Sequence, residues 1–270
     1  MDARPIGVFD SGLGGLTTVR KLTEALPGED IIYLGDTGRV PYGSRSRDTI
    51  IKYARQDAAF LAGFDIKAMV VACNTVCSTA FGILDNAYEM QVYEVISIPA
   101  KAAAQTTNNG KIGVIGTVAT INSRAYETAL KKISPELTVV SVPCPLFVPL
   151  VENGRTDAND VAALTIAGDY LAQLRKSGID TLIMGCTHYP LLRDVIAKVM
   201  GPGVALIDSG AETAKLVAED LNDRNMLSGS GREGATRYFV TDSADGFSTM
   251  ASMLLESDIC GRVEQITLEN

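Results

Sequence analysis

The chain has 270 residues, room for one large domain or two small ones with substantial cores, and its 46% hydrophobic content excludes a disordered polypeptide. The formal charge is −8, from 24 basic and 32 acidic residues, with no basic cluster, which disfavours a nucleic-acid partner held through its phosphates. No apolar run approaches the roughly 18 residues of a membrane span. The first residues carry no signal-peptide pattern, and an odd set of five cysteines fits reduced thiols in the cytosol.

In chain order, Ile6-Gly7-Val8-Phe9 reads as a strand ending at Asp10-Ser11-Gly12-Leu13-Gly14-Gly15. Leu16, Val19, Leu22 and Leu26 then recur at helical spacing until Pro27-Gly28. A second strand, Ile31 to Leu34, ends at Gly35-Asp36-Thr37 and leads into a loop from Arg39 to Ser44. After a helical stripe of Ile50, Ala54, Ala58 and Leu61 comes Met69-Val70-Val71-Ala72, an apolar run suited to a buried parallel strand. It stops at Cys73-Asn74-Thr75. A helix through Leu84 and a strand around Val92 to Ile96 follow, and Ser97-Ile98-Pro99-Ala100 reads as a junction.

The pattern then restarts. Ile112 to Ile115 with Gly116-Thr117 echoes the first strand, and a helix carries Tyr126, Leu130 and Ile133. A strand from Leu137 to Val142 opens a loop from Pro143 to Gly154. After a long helix striped by Val161, Leu164, Leu171 and Leu174, Leu182-Ile183-Met184-Gly185 ends at Cys186-Thr187-His188, and a helix carrying Leu192, Val195 and Ile196 follows. Val204 to Asp208, a helix through Leu221, a polar loop from Asn222 to Thr236, a strand at Tyr238 to Val240, a helix around Phe247 to Leu255 and a strand from Val263 to Leu268 close the chain. Continuous β–α alternation predicts mostly parallel sheets covered by helices on both faces, and the repeated order predicts two related units.

Asp10, Asp36, Cys73, Thr117, Cys186 and Asp208 all fall at predicted strand C-termini, where such sheets bind ligands. A helix N-terminus behind each of Cys73 and Cys186 would lower its thiol pKa. Asp10, Glu152 or His188 can orient a thiol or balance its proton. The plain alternative is two buried, inert cysteines. Two equivalent thiols exceed what nucleophilic hydrolysis needs, but they suit a reaction that removes a proton from one face of a carbon and returns one to the other: racemisation or epimerisation. Donors for the developing negative charge would be Ser11, Tyr42, Asn74, Thr75, Thr117, Thr120 and Thr187, with backbone N–H groups. The glycines at 12, 14 and 15 would let backbone amides approach an anion, although the lysine of a phosphate loop is absent. Cys77 reads as a packing residue.

The segments Pro5–Leu16, Gly35-Asp36-Thr37 with Pro41-Tyr42-Gly43, Ala72–Thr75, Ile115-Gly116-Thr117, Phe147–Glu152 and Gly185–Leu191 resemble the bacterial glutamate racemases, in the cofactor-independent aspartate/glutamate racemase family. The resemblance runs from residue 5 to about residue 215. It implies an α/β fold of two pseudo-symmetric doubly wound domains, residues 1–97 plus 208–270 and residues 98–207, with the site in the cleft between them. It implies a cofactor-independent, metal-free enzyme that interconverts L- and D-glutamate and supplies D-glutamate for peptidoglycan. Cys73 would act on the D-enantiomer and Cys186 on the L-enantiomer, supported by Asp10, Glu152 and His188. Asp10, Ser11, Tyr42, Gly43, Asn74, Thr75, Thr117, Thr120, Thr187 and His188 would hold substrate. A cytoplasmic homodimer, with no nucleic-acid or membrane partner, completes the expectation. Val76, where the family usually has alanine, and Cys77 depart from the pattern. Aspartate racemases share the architecture, while a two-lobed binding protein would not need matched thiols and a pyridoxal-phosphate racemase would need a Schiff-base lysine.

Overall fold

A computed structural model describes residues 1–255, 259 and 262–268. Cys260 lies outside the described residues. Ten strands and eleven α-helices alternate among them. The first sheet, in the order β10-β9-β2-β1-β3-β4, comprises β1 (Ile6–Asp10), β2 (Ile31–Gly35), β3 (Ala68–Val71), β4 (Gln91–Glu94), β9 (Thr236–Val240) and β10 (Val263–Gln265). The second, in the order β6-β5-β7-β8, comprises β5 (Lys111–Gly116), β6 (Thr138–Pro143), β7 (Thr181–Gly185) and β8 (Ala205–Asp208). Every pairing is parallel.

The sequence echo has a topological counterpart. Within the first sheet, β2-β1-β3-β4 is the same succession as β6-β5-β7-β8 in the second. In each, the first strand of the unit lies between its two successors, so the chain leaves it once in each direction. That is the switch point where open parallel sheets bind ligands beyond their strand ends. β1 and β3 deliver Asp10 and Cys73 from neighbouring strands, and β5 and β7 deliver Thr117 and Cys186 in the same way.

The strands are apolar because both faces are covered. Val8, Val70 and Tyr33 on one face of the first sheet pack with Leu16, Val19, Leu22, Ala214 and Val217, from helices α1 (Leu16–Ala25) and α10 (Ser209–Asp223). On the other face, Phe9, Met69 and Val71 join Val76, Cys77 and Ala80 of α3 (Asn74–Asp85) in a core that continues through Ala100 and Tyr126 to Ile112, Val114 and Ile183 of the second sheet. The two halves therefore share apolar core beneath the cleft. Val76 is fully buried there, and the Cys77 thiol donates to Val71 O at 3.1 Å, the packing role read for it.

Two segments differ from the sequence reading. The junction at Ser97–Ala100 is the first turn of α4 (Ser97–Thr106), with Glu94 accepting from the Ile96 and Ser97 amides. The supposed loop from Pro143 to Gly154 contains α7 (Phe147–Glu152). Pro99 and Pro149 each lie in a first helical turn, where no intrahelical amide bond is lost.

Candidate active site

A cleft of about 570 Å³ opens between the C-terminal ends of the two sheets. Ser11, Tyr42, Gly43, Cys73, Asn74, Thr75, Thr117, Glu152, Cys186, Thr187 and His188 line it. Of the residues singled out from sequence, Asp10 and Thr120 lie behind this lining, both about 1% exposed. Thr120 reaches the cleft through hydroxyls: its Oγ1 is 3.0 Å from Thr117 Oγ1, which is 3.1 Å from Thr75 Oγ1 in the opposite half.

Cys73 is the N-cap residue of α3, and its Sγ donates to Ser11 Oγ at 3.4 Å. Burial, reinforced by the negative charge of Asp10, pushes its thiol up to about 12. This reverses the lowering expected of a helix N-terminus, because desolvation of a buried thiolate outweighs the helix dipole. Burial also raises the carboxyl pKa of Asp10, against the opposing charge of His188. One oxygen of Asp10 accepts from the Gly12 amide at 3.0 Å, and the other has no protein partner.

Cys186 has different surroundings. No α-helix starts behind it: Thr187 and His188 lead into a 3-10 turn, Tyr189–Leu192, and only then into α9 (Arg193–Met200). What stands beside Cys186 is His188, with Nδ1 4.0 Å from Sγ and Nε2 3.2 Å from Glu152 Oε1. Burial alone would depress the imidazole pKa. Hydrogen bonds to Cys186 and Glu152, with the charges of Cys186 and Asp10, outweigh it and hold His188 at about 10. The one histidine in the chain is thus an imidazolium at neutral pH, tied to the sulfur of Cys186 on one side and the carboxylate of Glu152 on the other.

The halves lock together at the residues that follow each cysteine. Tyr126 of α6 (Ala125–Ile133) places its hydroxyl 2.6 Å from Asn74 Oδ1, 2.7 Å from Val95 O and 3.1 Å from Ser209 Oγ. Asn74 Nδ2 is left buried and unpartnered beside the cleft. In the other direction, Thr17 Oγ1 of α1 lies 2.9 Å from Thr187 O. Gly14 makes this approach possible, since a Cβ there would stand 2.5 Å from His188 Nδ1 and collide with Thr187 Oγ1. Gly14 therefore serves packing between the halves, while Ser11 and Gly12 of the same turn line the cleft.

Two of the six strand-end residues point elsewhere. Asp208 caps α10 by accepting from the Gly210 and Ala211 amides. Asp36 lies below the cleft and binds Tyr42 and Arg39. Sequence reasoning did not single out Val118, Cys144, Val148 or Tyr189, which also line the cleft. Val148 sits within the quoted Phe147–Glu152 motif, where only the carboxylate drew notice. Among the described residues, no group of three or more His, Cys, Asp or Glu side chains is arranged to hold a metal ion.

Residues 6–217 match the model of the Asp/Glu/Hydantoin racemase family. The chain belongs to that family. Over 269 residues, all of this chain and 98% of the relative, it is 48% identical to a glutamate racemase from Geobacter metallireducens. The crystal structure of glutamate racemase isoform RacE1 from Bacillus anthracis superposes with a TM-score of 0.94 at 40% identity, covering 99% of each chain. That of a Francisella tularensis glutamate racemase in complex with D-glutamate gives 0.92 at 38% identity, covering 100% of this chain and 99% of the other.

Proposed function

We infer that this chain is a glutamate racemase that exchanges the α-proton between two cysteines, Cys73 and Cys186. The observation that carries this reading is the pair of thiols lining one cleft from equivalent strand ends, in a chain 48% identical over its whole length to a glutamate racemase.

The chemistry follows from the asymmetry of the two thiols. The α-proton of an amino acid is weakly acidic, so its removal requires fixed donors where negative charge develops. The first-turn amides of α3, which have no intrahelical partners, the hydroxyls of Ser11, Thr75, Thr117 and Thr187, and the unpaired Asn74 Nδ2 support that role. Tyr42 and Gly43 close the same wall. With L-glutamate bound, the sulfur of Cys186, acting as a thiolate paired with the His188 imidazolium, takes the α-proton, while the Cys73 thiol donates its own proton to the opposite face. Carbon gains one proton and loses one, and D-glutamate results. The enzyme is left protonated at Cys186 and deprotonated at Cys73, the form that acts on D-glutamate. Glu152 balances the charge of the His188 imidazolium, and Asp10, whose burial favours its neutral form, can hold a proton beside the Cys73 thiolate.

No cofactor takes part in this scheme. D-Glutamate so formed would supply peptidoglycan synthesis in the cytoplasm, from a homodimer. Residues 1–97 with 208–270 would form one domain and 98–207 the other, a division supported by the membership of the two sheets.

Proton NMR in deuterated water tests the reading. Cofactor-free protein given L- or D-glutamate should exchange the α-proton of each while optical rotation decays to zero. Exchange of aspartate alone would keep the chemistry and change the substrate. Absence of exchange with reduced thiols would overturn the assignment.

A further inference from the structure

Tyr42 lines the cleft, yet its hydroxyl points into a buried cluster that the proton-exchange scheme does not use. That hydroxyl donates to Asp36 Oδ2 and also lies 3.0 Å from Asp57 Oδ2, from α2 (Arg47–Ala62). Both aspartates are fully buried. A phenol carries one proton. Committed to Asp36, it leaves two bare oxygens facing each other at the Asp57 contact, unless Asp57 brings a proton of its own.

Charge counting gives the same answer. Arg39 is the cation in the cluster, 2.6 Å from Asp36 and 2.9 Å from Asp57. The other groups around it are neutral or acidic. Thr241 Oγ1 donates to Asp36 Oδ1 at 2.7 Å, the Tyr53 ring lies under the guanidinium at 4.1 Å, Gln56 accepts from Arg39, and Asp10 adds further negative charge. Two buried carboxylates against one guanidinium would leave an uncompensated charge, which is costly. Burial first, then the charge of Asp36, raises the Asp57 pKa well above the usual carboxylate range.

We propose that Asp57 is a neutral carboxylic acid that donates to Tyr42 Oη, a positioning residue that fixes the Tyr42–Ser44 turn as one wall of the substrate site. The consequence reaches the other half of the molecule, because the turn abuts it: a Cβ on Gly43 would lie only 3.1 Å from the Thr117 side chain. Losing the proton at alkaline pH sets two carboxylates against one tyrosine hydroxyl. The turn is then released, and substrate binding weakens more than turnover.

The kinetic consequence rests on the glutamate racemase reading, whereas the protonation state does not, and the test separates them. Infrared spectra of the full-length wild type and Asp57→Asn are compared at neutral pH. The difference should contain the C=O band of a protonated carboxyl that shifts on deuteration, and its absence overturns the proposal. Kinetics use L-glutamate. Asp57→Asn, whose amide N–H replaces the acid O–H, should keep KM within about threefold of wild type, and Asp57→Leu should raise it about tenfold with kcat little changed, as expected for one lost hydrogen bond. The wild-type KM should rise at alkaline pH, and the Asn variant should lack that rise. An Asn variant as impaired as the Leu variant at neutral pH would mean that the carboxylate is the working form, and the proposal falls. If Asp57→Leu does not fold, the Asn variant and the infrared band still decide. If no variant turns over glutamate, the band alone decides, and the failure belongs to the substrate assignment.

Discussion

Cys73 and Cys186 occupy equivalent places. Each follows the strand beside the switch point of its sheet, and each is about 5–6% exposed. Their neighbours are opposite in character. Cys73 caps an α-helix and faces a buried carboxyl, and its proton is held up to about 12. Cys186 has a 3-10 turn in place of an α-helix behind it and faces an imidazolium backed by Glu152. The strand and turn deliver a sulfur to the cleft, and the second residue type in the pair, Asp10 or His188, sets what that sulfur can do. A helix N-terminus, worth about 1 kcal/mol, loses to burial of an anion.

The most severe way to break the comparison is to remove the sulfurs. Cys73→Ser and Cys186→Ser should each lower kcat by at least about 10³-fold, since a serine hydroxyl is a far weaker acid and base at neutral pH. Retention of racemisation by either variant would show that one thiol suffices.

Changing the partner residues is gentler and separates the two sides. His188→Asn should cost about 10²-fold, and Asp10→Asn a similar or smaller factor. Because L- and D-glutamate have equal free energy, kcat/KM must fall equally in both directions, so rates alone cannot tell the sides apart. Isotope effects can. Slowing the Cys186 step should raise the primary effect with α-deuterated L-glutamate after His188→Asn. Asp10→Asn should instead raise that with α-deuterated D-glutamate. Equal changes with both substrates would dissolve the assignment of His188 to one thiol and Asp10 to the other.

Much of this was legible in the sequence. The strand ends, both thiols, and the cleft-lining side chains Ser11, Asn74, Thr117, Thr187 and His188 came from apolar runs that stop at small polar residues, and Tyr42 came from the loop after the second strand. What escaped were properties decided by contacts between distant segments. The raised Cys73 pKa depends on burial by the assembled halves. The role of Gly14 depends on Thr187 and His188, which lie more than 170 residues away. Asp36 looked like a site residue because it ends a strand, yet its oxygens are taken up by Tyr42, Arg39 and Thr241. Pro99 and Pro149 masked helices because a proline in a first turn and a proline in a loop look alike in sequence.

The same contrast appears in stability against pH. His188 is raised from 6.5 to about 10 on folding, so its protonated form stabilises the fold fully below about 6.5, and that contribution is lost as pH rises through 10. Cys73, raised from 9.0 to about 12, loses its contribution between those values. Unfolding free energy should therefore fall by a few kcal/mol from neutral to alkaline pH. His188→Gln should flatten the part of the fall below about pH 9, and Cys73→Ser only the part above it. Urea unfolding at a series of pH values checks this, and a profile unchanged by His188→Gln would remove the imidazolium from the folded state.

The smallest effects concern how each half steadies the other's cysteine loop. Tyr126 reaches across to Asn74, and Thr17 reaches back to Thr187 O. The two contacts are reciprocal but unequal. Tyr126 is 2% exposed, and its hydroxyl also meets Val95 O and Ser209 Oγ, at the two places where the chain passes between the sheets. Tyr126→Phe leaves buried acceptors without a donor and should cost about 1–3 kcal/mol of stability. Thr17 is only partly buried and has Gly14 O as an alternative acceptor at 2.9 Å, so Thr17→Val should cost less, about 1 kcal/mol or below. The functional readout is the glutamate KM, because Tyr126 holds the amide whose Nδ2 stands unpaired beside the cleft. Tyr126→Phe should raise KM severalfold in the parent and hardly at all in an Asn74→Ala background, a non-additivity of about 1 kcal/mol. Additive effects would mean that Tyr126 braces the two crossings and leaves the amide alone, and the reciprocity between the halves would then be one of packing only.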